Sequence, residues 1–165
     1  MLKLVKKKLH FESELSLENF VWANLEELFQ LKPLDRQYRL DTEICDIIAV
    51  DFDGRLHILE LKNEVDRYVI QQLTRYYDAL TAHRPFKESV DYSKPVKLIA
   101  IAPKFHRHNH IDIKYNILNI DLLQFEIQGE VSKPELVLKN LETEQICKAF
   151  LPVPRENTDT ELEEP

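Results

Sequence analysis

The stretch Glu43–Lys62, EICDIIAVDFDGRLHILELK, decides the fold of this chain. It contains two strand-like runs, residues 43–51 and 55–62, on either side of the short segment Phe52-Asp53-Gly54. A three-residue hairpin loop favours glycine in the left-handed conformation at its third position, which Gly54 provides. The stretch therefore predicts an antiparallel hairpin whose register is set by its loop.

This register places the polar residues of the hairpin relative to one another. Counting outward from the loop gives three cross-strand pairs: Asp51 with Arg55, Ile48 with Ile58, and Asp46 with Glu60. Opposite residues share a face, and side chains alternate along a strand, so Lys62 is expected on the same face as Glu60. The hairpin therefore predicts two carboxylates and one ammonium group in one place. A two-residue loop would instead move Asp46 to the other face.

Length and composition favour one soluble domain. The chain has 165 residues, is 44% hydrophobic and has two cysteines, too few for a disulfide framework. No apolar run approaches the ~20 residues of a membrane span, so no membrane partner is expected. In the first residues, MLKLVKKKLHF, the basic residues are not followed by a hydrophobic stretch, so this segment does not have the pattern of a secretory signal. A cytoplasmic protein fits best.

The charge of the chain restricts how it could bind a polyanion. Formal net charge is −7, and residues 155–165 contribute five acids and one arginine. We expect a domain at residues 1–152 and an acidic, disordered tail at residues 153–165. Because the remaining body has a net charge near −3, any surface that binds a nucleic acid must be local.

Hydrophobic periodicity predicts the elements around the hairpin. Ser13 can cap a helix over residues 13–29, in which Trp22 is expected in the core. Further predictions are a helix at 64–83, a buried strand at 96–102, a helix or loop at 104–115, and a strand at 119–128. This alternation predicts an α/β fold with a mixed central β-sheet flanked by helices.

Other polar residues are expected near the hairpin acids. Glu60-Leu61-Lys62 alone could be an exposed surface pair, but Glu14 lies at the start of the first helix and can add an acid. Gln72 and Tyr76 are four residues apart on the apolar stripe of the second helix, so both should face the sheet. Glu18 competes with Glu14 for the same role, and its alternative interpretation is an exposed helix acid.

Together these residues resemble the PD-(D/E)XK nuclease superfamily, and within it the catalytic domain of the NucS/EndoMS endonucleases. The matching pieces run in order over residues 11–102: Ser13-Glu14 with Leu17, Asp46, Asp53-Gly54, Ile58–Lys62, Gln72-Leu73 with Arg75-Tyr76, and Ala79-Leu80. The resemblance implies a restriction-endonuclease-like core. Glu43-Ile44-Cys45, just before the aspartate, departs from the family pattern.

The resemblance also implies roles for the site residues. Asp46 and Glu60 would hold Mg²⁺ or Mn²⁺, Lys62 would position or activate the attacking water, and Glu14 would complete the acidic cluster. Gln72 and Tyr76 would be an accessory pair. Mg²⁺ prefers oxygen ligands, so the Leu61 carbonyl could join the two carboxylates. We favour water positioning for Lys62, because proton removal would require a depressed pKa.

Histidines and lysines outside this pattern offer weaker signals. His106 and His110 have the helical spacing of a zinc pair, with His108 between them, but no glutamate follows the first histidine. We expect a solvated or phosphate-contacting surface there instead. Lys6, Lys7 and Lys8 could follow a DNA backbone or form a solvated face.

The sequence thus predicts a metal-dependent DNA endonuclease that hydrolyses phosphodiester bonds. The alternative is a non-catalytic nucleic-acid-binding or protein-interaction module on a nuclease fold, and a zinc hydrolase is a remote third. DNA is the expected partner, and a homodimer would suit paired cuts on a duplex. The sequence leaves open the DNA structure that is cut, mismatch versus restriction or repair roles, and DNA versus RNA preference.

Overall fold

The computed structural model describes residues 1–153, and the predicted acidic tail lies outside this range except for Val153. The elements in chain order are β1 Leu2–Val5, β2 Lys8–Phe11, α1 Glu14–Ala23, α2 Leu25–Phe29, β3 Lys32–Leu40, β4 Glu43–Val50, β5 Leu56–Leu61, α3 Val69–His83, β6 Lys97–Ala102, α4 Arg107–Lys114, β7 Ile120–Gln128, β8 Glu135–Asn140 and β9 Ile146–Phe150.

A seven-stranded mixed sheet forms the centre of the fold, in the order β3-β4-β5-β6-β7-β8-β9. Strands β5, β6 and β7 are parallel to one another, and the other neighbours are antiparallel. The predicted α/β fold with a mixed sheet flanked by helices is confirmed. Across residues 1–153, no helix combines the length and apolarity that a membrane crossing requires.

Each face of the sheet has its own hydrophobic core. Helices α1 and α2 pack on one face, where Leu17 and Leu59 are fully buried. Helix α3 packs on the other face, where Leu73 and Ile58 are fully buried. Because adjacent residues of β5 point to opposite faces, this strand is buried on both sides, as expected for the centre of such a sheet.

The predicted hairpin is present with the predicted register. Ile48 pairs with Ile58, and the Asp51 N–H donates to the Arg55 carbonyl at 3.1 Å. Gly54 has φ +82°, in the left-handed region. The ladder between β4 and β5 stops at Ile47 and Leu59, one pair before the predicted site. Asp46 and Glu60 therefore lie where the two backbones stop pairing.

The two predicted helices next to the hairpin differ from the structure at their ends. The predicted 13–29 helix is broken at Asn24, whose φ of −121° is not helical and whose side chain donates to the Phe20 carbonyl at 2.8 Å. The predicted 64–83 helix begins only at Val69. Asp66 makes a local turn, accepting from the Tyr68 N–H at 2.7 Å, which competes with helix formation.

Two further expectations can be compared with the structure. Residues 104–115 contain helix α4, which His106 caps by accepting the His108 N–H. Trp22 is only half-buried: it packs against the edge of the core, and the Arg36 guanidinium lies over its ring, 5.6 Å from the centroid. Strands β1, β2, β3, β8 and β9 were not predicted from the sequence.

Replacing Gly54 tests the loop that sets the register. An added Cβ would meet Asp91 at 3.5 Å, which is ordinary contact, so the cost is conformational. We expect Gly54→Ala to lose about 1–2 kcal/mol of unfolding free energy, because alanine disfavours positive φ. Thermal melting should fall by ~2–4 °C per kcal/mol. Gly54→Asn should lose less, since asparagine tolerates this conformation; equal melting of the alanine variant and wild type would contradict this account.

Candidate functional site

The site lies at the carboxyl end of β5, where the pairing with β4 has ended. There the Asp46 carboxylate takes the place of a backbone acceptor, because its Oδ2 accepts a hydrogen bond from the Leu61 N–H at 2.9 Å. In an extended strand the N–H and C=O of one residue point to the same edge. The Leu61 carbonyl is therefore directed toward the Asp46 side of the strand.

Glu60 is a buried acid beside a second acid. Its side chain is 3% exposed, and burial together with the negative charge of Asp46 raises its pKa to about 9. Lys62 Nζ lies 3.4 Å from Oε1, whereas the buried Oε2 meets no hydrogen-bond donor in residues 1–153. Two carboxylates in this position need a shared proton or a cation between them.

Lys62 retains its charge in this environment. Burial alone would lower its pKa, but the carboxylates of Glu60, Glu14 and Asp66 more than offset that effect and raise the pKa. Its Nζ also lies 3.8 Å from Asp66 Oδ2. A lysine held in its protonated form balances charge and donates hydrogen bonds, which agrees with the preference for water positioning over proton removal.

Gln37 holds the other oxygen of Asp46 and was not identified from the sequence. It has φ +48° inside β3, and its Nε2 donates to Asp46 Oδ1 at 3.1 Å and to Glu18 Oε1. One amide nitrogen therefore bridges two acids. Burial is the main cause of the raised pKa of Asp46, to which the charge of Glu18 also contributes.

Glu18 and Glu14 occupy different sides of the site. The alternative interpretation of Glu18 as an exposed helix acid does not hold, because its side chain is 3% exposed and accepts from Arg36 Nη2 at 2.5 Å. Exposed Glu14 lines a cavity of about 270 Å³ with Glu18, Gln37 and Asp46. It also lines a second cavity of about 340 Å³ that contains Lys62. The structure thus brings both acids to the site, Glu18 next to Asp46 and Glu14 near Lys62.

Helix α3 brings Tyr76 near the same acids and buries the Gln72 side-chain oxygen. Tyr76 is buried, and burial followed by the charges of Glu60 and Asp46 raises its pKa, so it remains a neutral phenol. Gln72 Oε1 is buried and has no donor among residues 1–153. Both side chains lie on the sheet side of the helix, as predicted, while their roles stay predictions.

The donor atoms at the site fit a hard divalent cation. In residues 1–153, no three His, Cys, Asp or Glu side chains are grouped as a preformed metal site. Mg²⁺, however, is commonly held by one or two carboxylates and keeps several waters. The site offers three oxygen donors of that kind: the unpartnered Glu60 Oε2, the nearby Asp46 carboxylate and the Leu61 carbonyl oxygen.

Within residues 1–153, His106, His108 and His110 belong to no group of three or more potential metal ligands. His106 Nδ1 accepts the His108 N–H at 3.0 Å, and the two rings meet edge to face at 4.6 Å. His110 is exposed on the next turn. One ring nitrogen of His106 is thus used to cap α4, which favours a structural role for this residue.

Residues 13–128 match the protein family described as "Endonuclease NucS C-terminal domain". Endonuclease NucS of Pyrococcus abyssi is 36% identical over 95 residues, covering 55% of this chain and 34% of that protein. The Pyrococcus horikoshii protein of the same name is 35% identical over the same shares. The chain therefore spans about a third of the length of these curated relatives.

Solved structures have a similar fold. A repair endonuclease from Pyrococcus abyssi superposes with a TM-score of 0.51 at 28% identity, covering 68% of this chain and 47% of that one. The EndoMS complex with double-stranded DNA gives a TM-score of 0.54 at 24% identity, covering 68% and 44%. At 24% identity, the similarity to the EndoMS complex supports the fold alone.

The raised pKa of Glu60 predicts how stability depends on pH without metal. In the unfolded chain this carboxyl ionises near 4.5, whereas in the folded protein it keeps its proton to about 9. Between these values the folded state binds more protons, so the free energy of unfolding falls as pH rises. We expect Glu60→Gln to remove this part of the slope in EDTA, melting above wild type at pH 8 and close to it at pH 5.

The matched control is Glu26→Gln, which changes an exposed acid on α2. It should follow the wild-type melting curve at both pH values. Parallel pH profiles for wild type and Glu60→Gln, or a lower melting temperature for Glu60→Gln at pH 8, would contradict the assignment of Glu60 as a buried, protonated acid.

Proposed function

Since the chain belongs to the family of the endonuclease NucS C-terminal domain, we propose that it is a metal-dependent DNA endonuclease with a PD-(D/E)XK site. The observation that carries this proposal is the buried Glu60 Oε2, which has no donor in the described chain and lies beside the Asp46 carboxylate. Such a pair is costly in an ordinary core and is useful where a divalent cation binds.

Asp46 and Glu60 are the proposed ligands of Mg²⁺ or Mn²⁺, with the Leu61 carbonyl completing the protein donors. Asp46 suits this role because Leu61 N–H and Gln37 fix both of its oxygens. Glu14, exposed at the rim, would contribute through bound water. When bound, the ion would lower the pKa of a coordinated water and neutralise charge that develops on the scissile phosphate.

Lys62 is the proposed positioning residue for the attacking water. Its ammonium group, held next to Glu60, can hydrogen-bond the water and stabilise negative charge on a phosphate oxygen. Tyr76, a neutral phenol, is a donor toward the acids, and Gln72 can accept from a water or from the substrate. Together these side chains would orient the reacting groups at the end of β5.

DNA is the proposed substrate, and the cytoplasm the proposed location. Curated relatives at 35–36% identity carry the name endonuclease, and a solved relative at 28% identity is described as a repair endonuclease. Hydrolysis of both strands of a duplex would favour a symmetric homodimer, in which each copy cuts one strand.

Cleavage of a panel of labelled DNA structures tests this function. Single-stranded, duplex, branched and mismatched DNA would be incubated with Mg²⁺, Mn²⁺ or EDTA. We expect metal-dependent cleavage of at least one form, and none with Asp46→Ala or Glu60→Ala. Lys62→Ala should reduce the rate by ~10²–10³, the usual effect of losing one group that stabilises the transition state. Glu14→Ala and Gln72→Ala should reduce it less.

Thermal melting of the same variants separates catalysis from folding. Glu26→Gln is the matched control and should retain both cleavage and stability. In EDTA at pH 8, Glu60→Ala should melt close to wild type, because it removes the buried acid that is costly to ionise there. Asp46→Ala should melt somewhat lower, because the Leu61 N–H loses its acceptor. If Glu60→Ala melts several degrees lower and wild type cuts no DNA form, the acids are structural, and the non-catalytic binding module becomes the better interpretation.

A further inference from the structure

The β1–β2 hairpin has an unusual turn. Its two-residue loop is Lys6-Lys7, with φ +47° and +64°, between Val5 and Lys8, which are paired. Turns of this kind need positive φ at both central positions and therefore favour Asn-Gly. Lysine is a poor choice for either position, so the turn keeps two charged side chains at a conformational cost. Backbone strain of this kind is frequently associated with function.

The hairpin concentrates positive charge on an acidic chain. Lys3, Lys6, Lys7 and Lys8 are all exposed, whereas the formal net charge of the whole chain is −7. Within residues 1–153, none of these four lysines forms an ion pair. Their charge is therefore available to an external anionic partner.

The base of the hairpin is fixed beside the candidate site. Phe11 is buried and meets the Phe125 ring edge to face, with centroids 5.8 Å apart. The Phe11 carbonyl accepts from Asn63 Nδ2 at 3.2 Å, and Asn63 directly follows Lys62. Lys3 lines the cavity of about 340 Å³ that also contains Glu14 and Lys62. The hairpin thus begins at the edge of the site.

The length of the hairpin determines what it can reach. From Phe11 to Lys8 the strand advances by roughly 10 Å, at about 3.3 Å per residue. One DNA strand has a phosphate about every 3.4 Å along the helix axis, so on a duplex that runs parallel to the hairpin the tip would lie about three nucleotides from the site edge. Lysine ammonium groups at that distance can contact the backbone without reading the base sequence.

We propose that the β1–β2 hairpin is a DNA-backbone arm, whose Lys6 and Lys7 bind phosphates about three nucleotides from the bond that is cut. This proposal rests on the proposed nuclease function and adds the surface that holds the substrate. The hairpin lies outside the family match, which begins at residue 13. It gives an acidic domain the local positive surface that DNA binding requires.

The test measures DNA affinity against salt concentration for the full chain in EDTA, by anisotropy of a labelled duplex. The test variant is Lys6→Asn/Lys7→Gly, which removes two charges and supplies the residues that the turn favours. Its melting temperature should equal or exceed that of wild type. The slope of log affinity against log salt should become shallower by about 1.8, or about 0.9 per lost phosphate contact.

Two matched variants complete the experiment. Lys6→Arg/Lys7→Arg keeps both charges and should keep the wild-type slope. Lys32→Gln/Lys87→Gln removes two exposed lysines that lie outside the β1–β2 hairpin, toward the Gly54 loop, and should also keep it. An unchanged slope for Lys6→Asn/Lys7→Gly would overturn the proposed arm, and so would an equal decrease of the slope in the Lys32→Gln/Lys87→Gln control. In either case, DNA cleavage by wild type would leave the proposed nuclease function intact. A wild type that neither binds nor cuts DNA overturns both.

Discussion

The hydrogen bond from the Leu61 N–H to Asp46 Oδ2, 2.9 Å long, is the interaction on which the candidate site depends. It lets a side chain take the place of a backbone partner where β4 and β5 separate, and so fixes Asp46 beside Glu60. Gln37 restrains the second Asp46 oxygen from β3. Two acids are thereby held in a buried place where their ionised forms would repel each other. Glu60 therefore keeps a proton unless a cation replaces it.

Much of this site could be predicted, because turn chemistry and strand alternation act locally. Gly54 sets the loop, the loop sets the register, and the register places Asp46 near Glu60 and Lys62. The same reasoning predicted the inward-facing Tyr76 from helical spacing. Buried apolar runs identified β5 and β6, so the mixed α/β architecture also followed from the sequence.

Other features depend on tertiary contacts that a sequence pattern does not carry. Gln37 adopts a left-handed conformation inside a strand, which no propensity rule assigns to glutamine, and this turns its amide toward two acids. Buried Glu18 has its hydrogen-bond partners, Arg36 and Gln37, 18 and 19 residues away in the sequence. Asn24 breaks a periodic helix by bonding the Phe20 carbonyl, and the lysines of the β1–β2 hairpin occupy a turn that normally selects Asn-Gly.

The ionisation of Glu60, followed by ¹³C NMR of its side-chain carboxyl with and without Mg²⁺, tests the shared site most directly. In metal-free protein we expect a midpoint near the pKa of about 9 that burial and Asp46 impose. Saturating Mg²⁺ should lower that midpoint, because a cation favours the carboxylate. A Glu60 carboxyl that titrates at its ordinary pKa of 4.5, unchanged by Mg²⁺, would contradict the shared site.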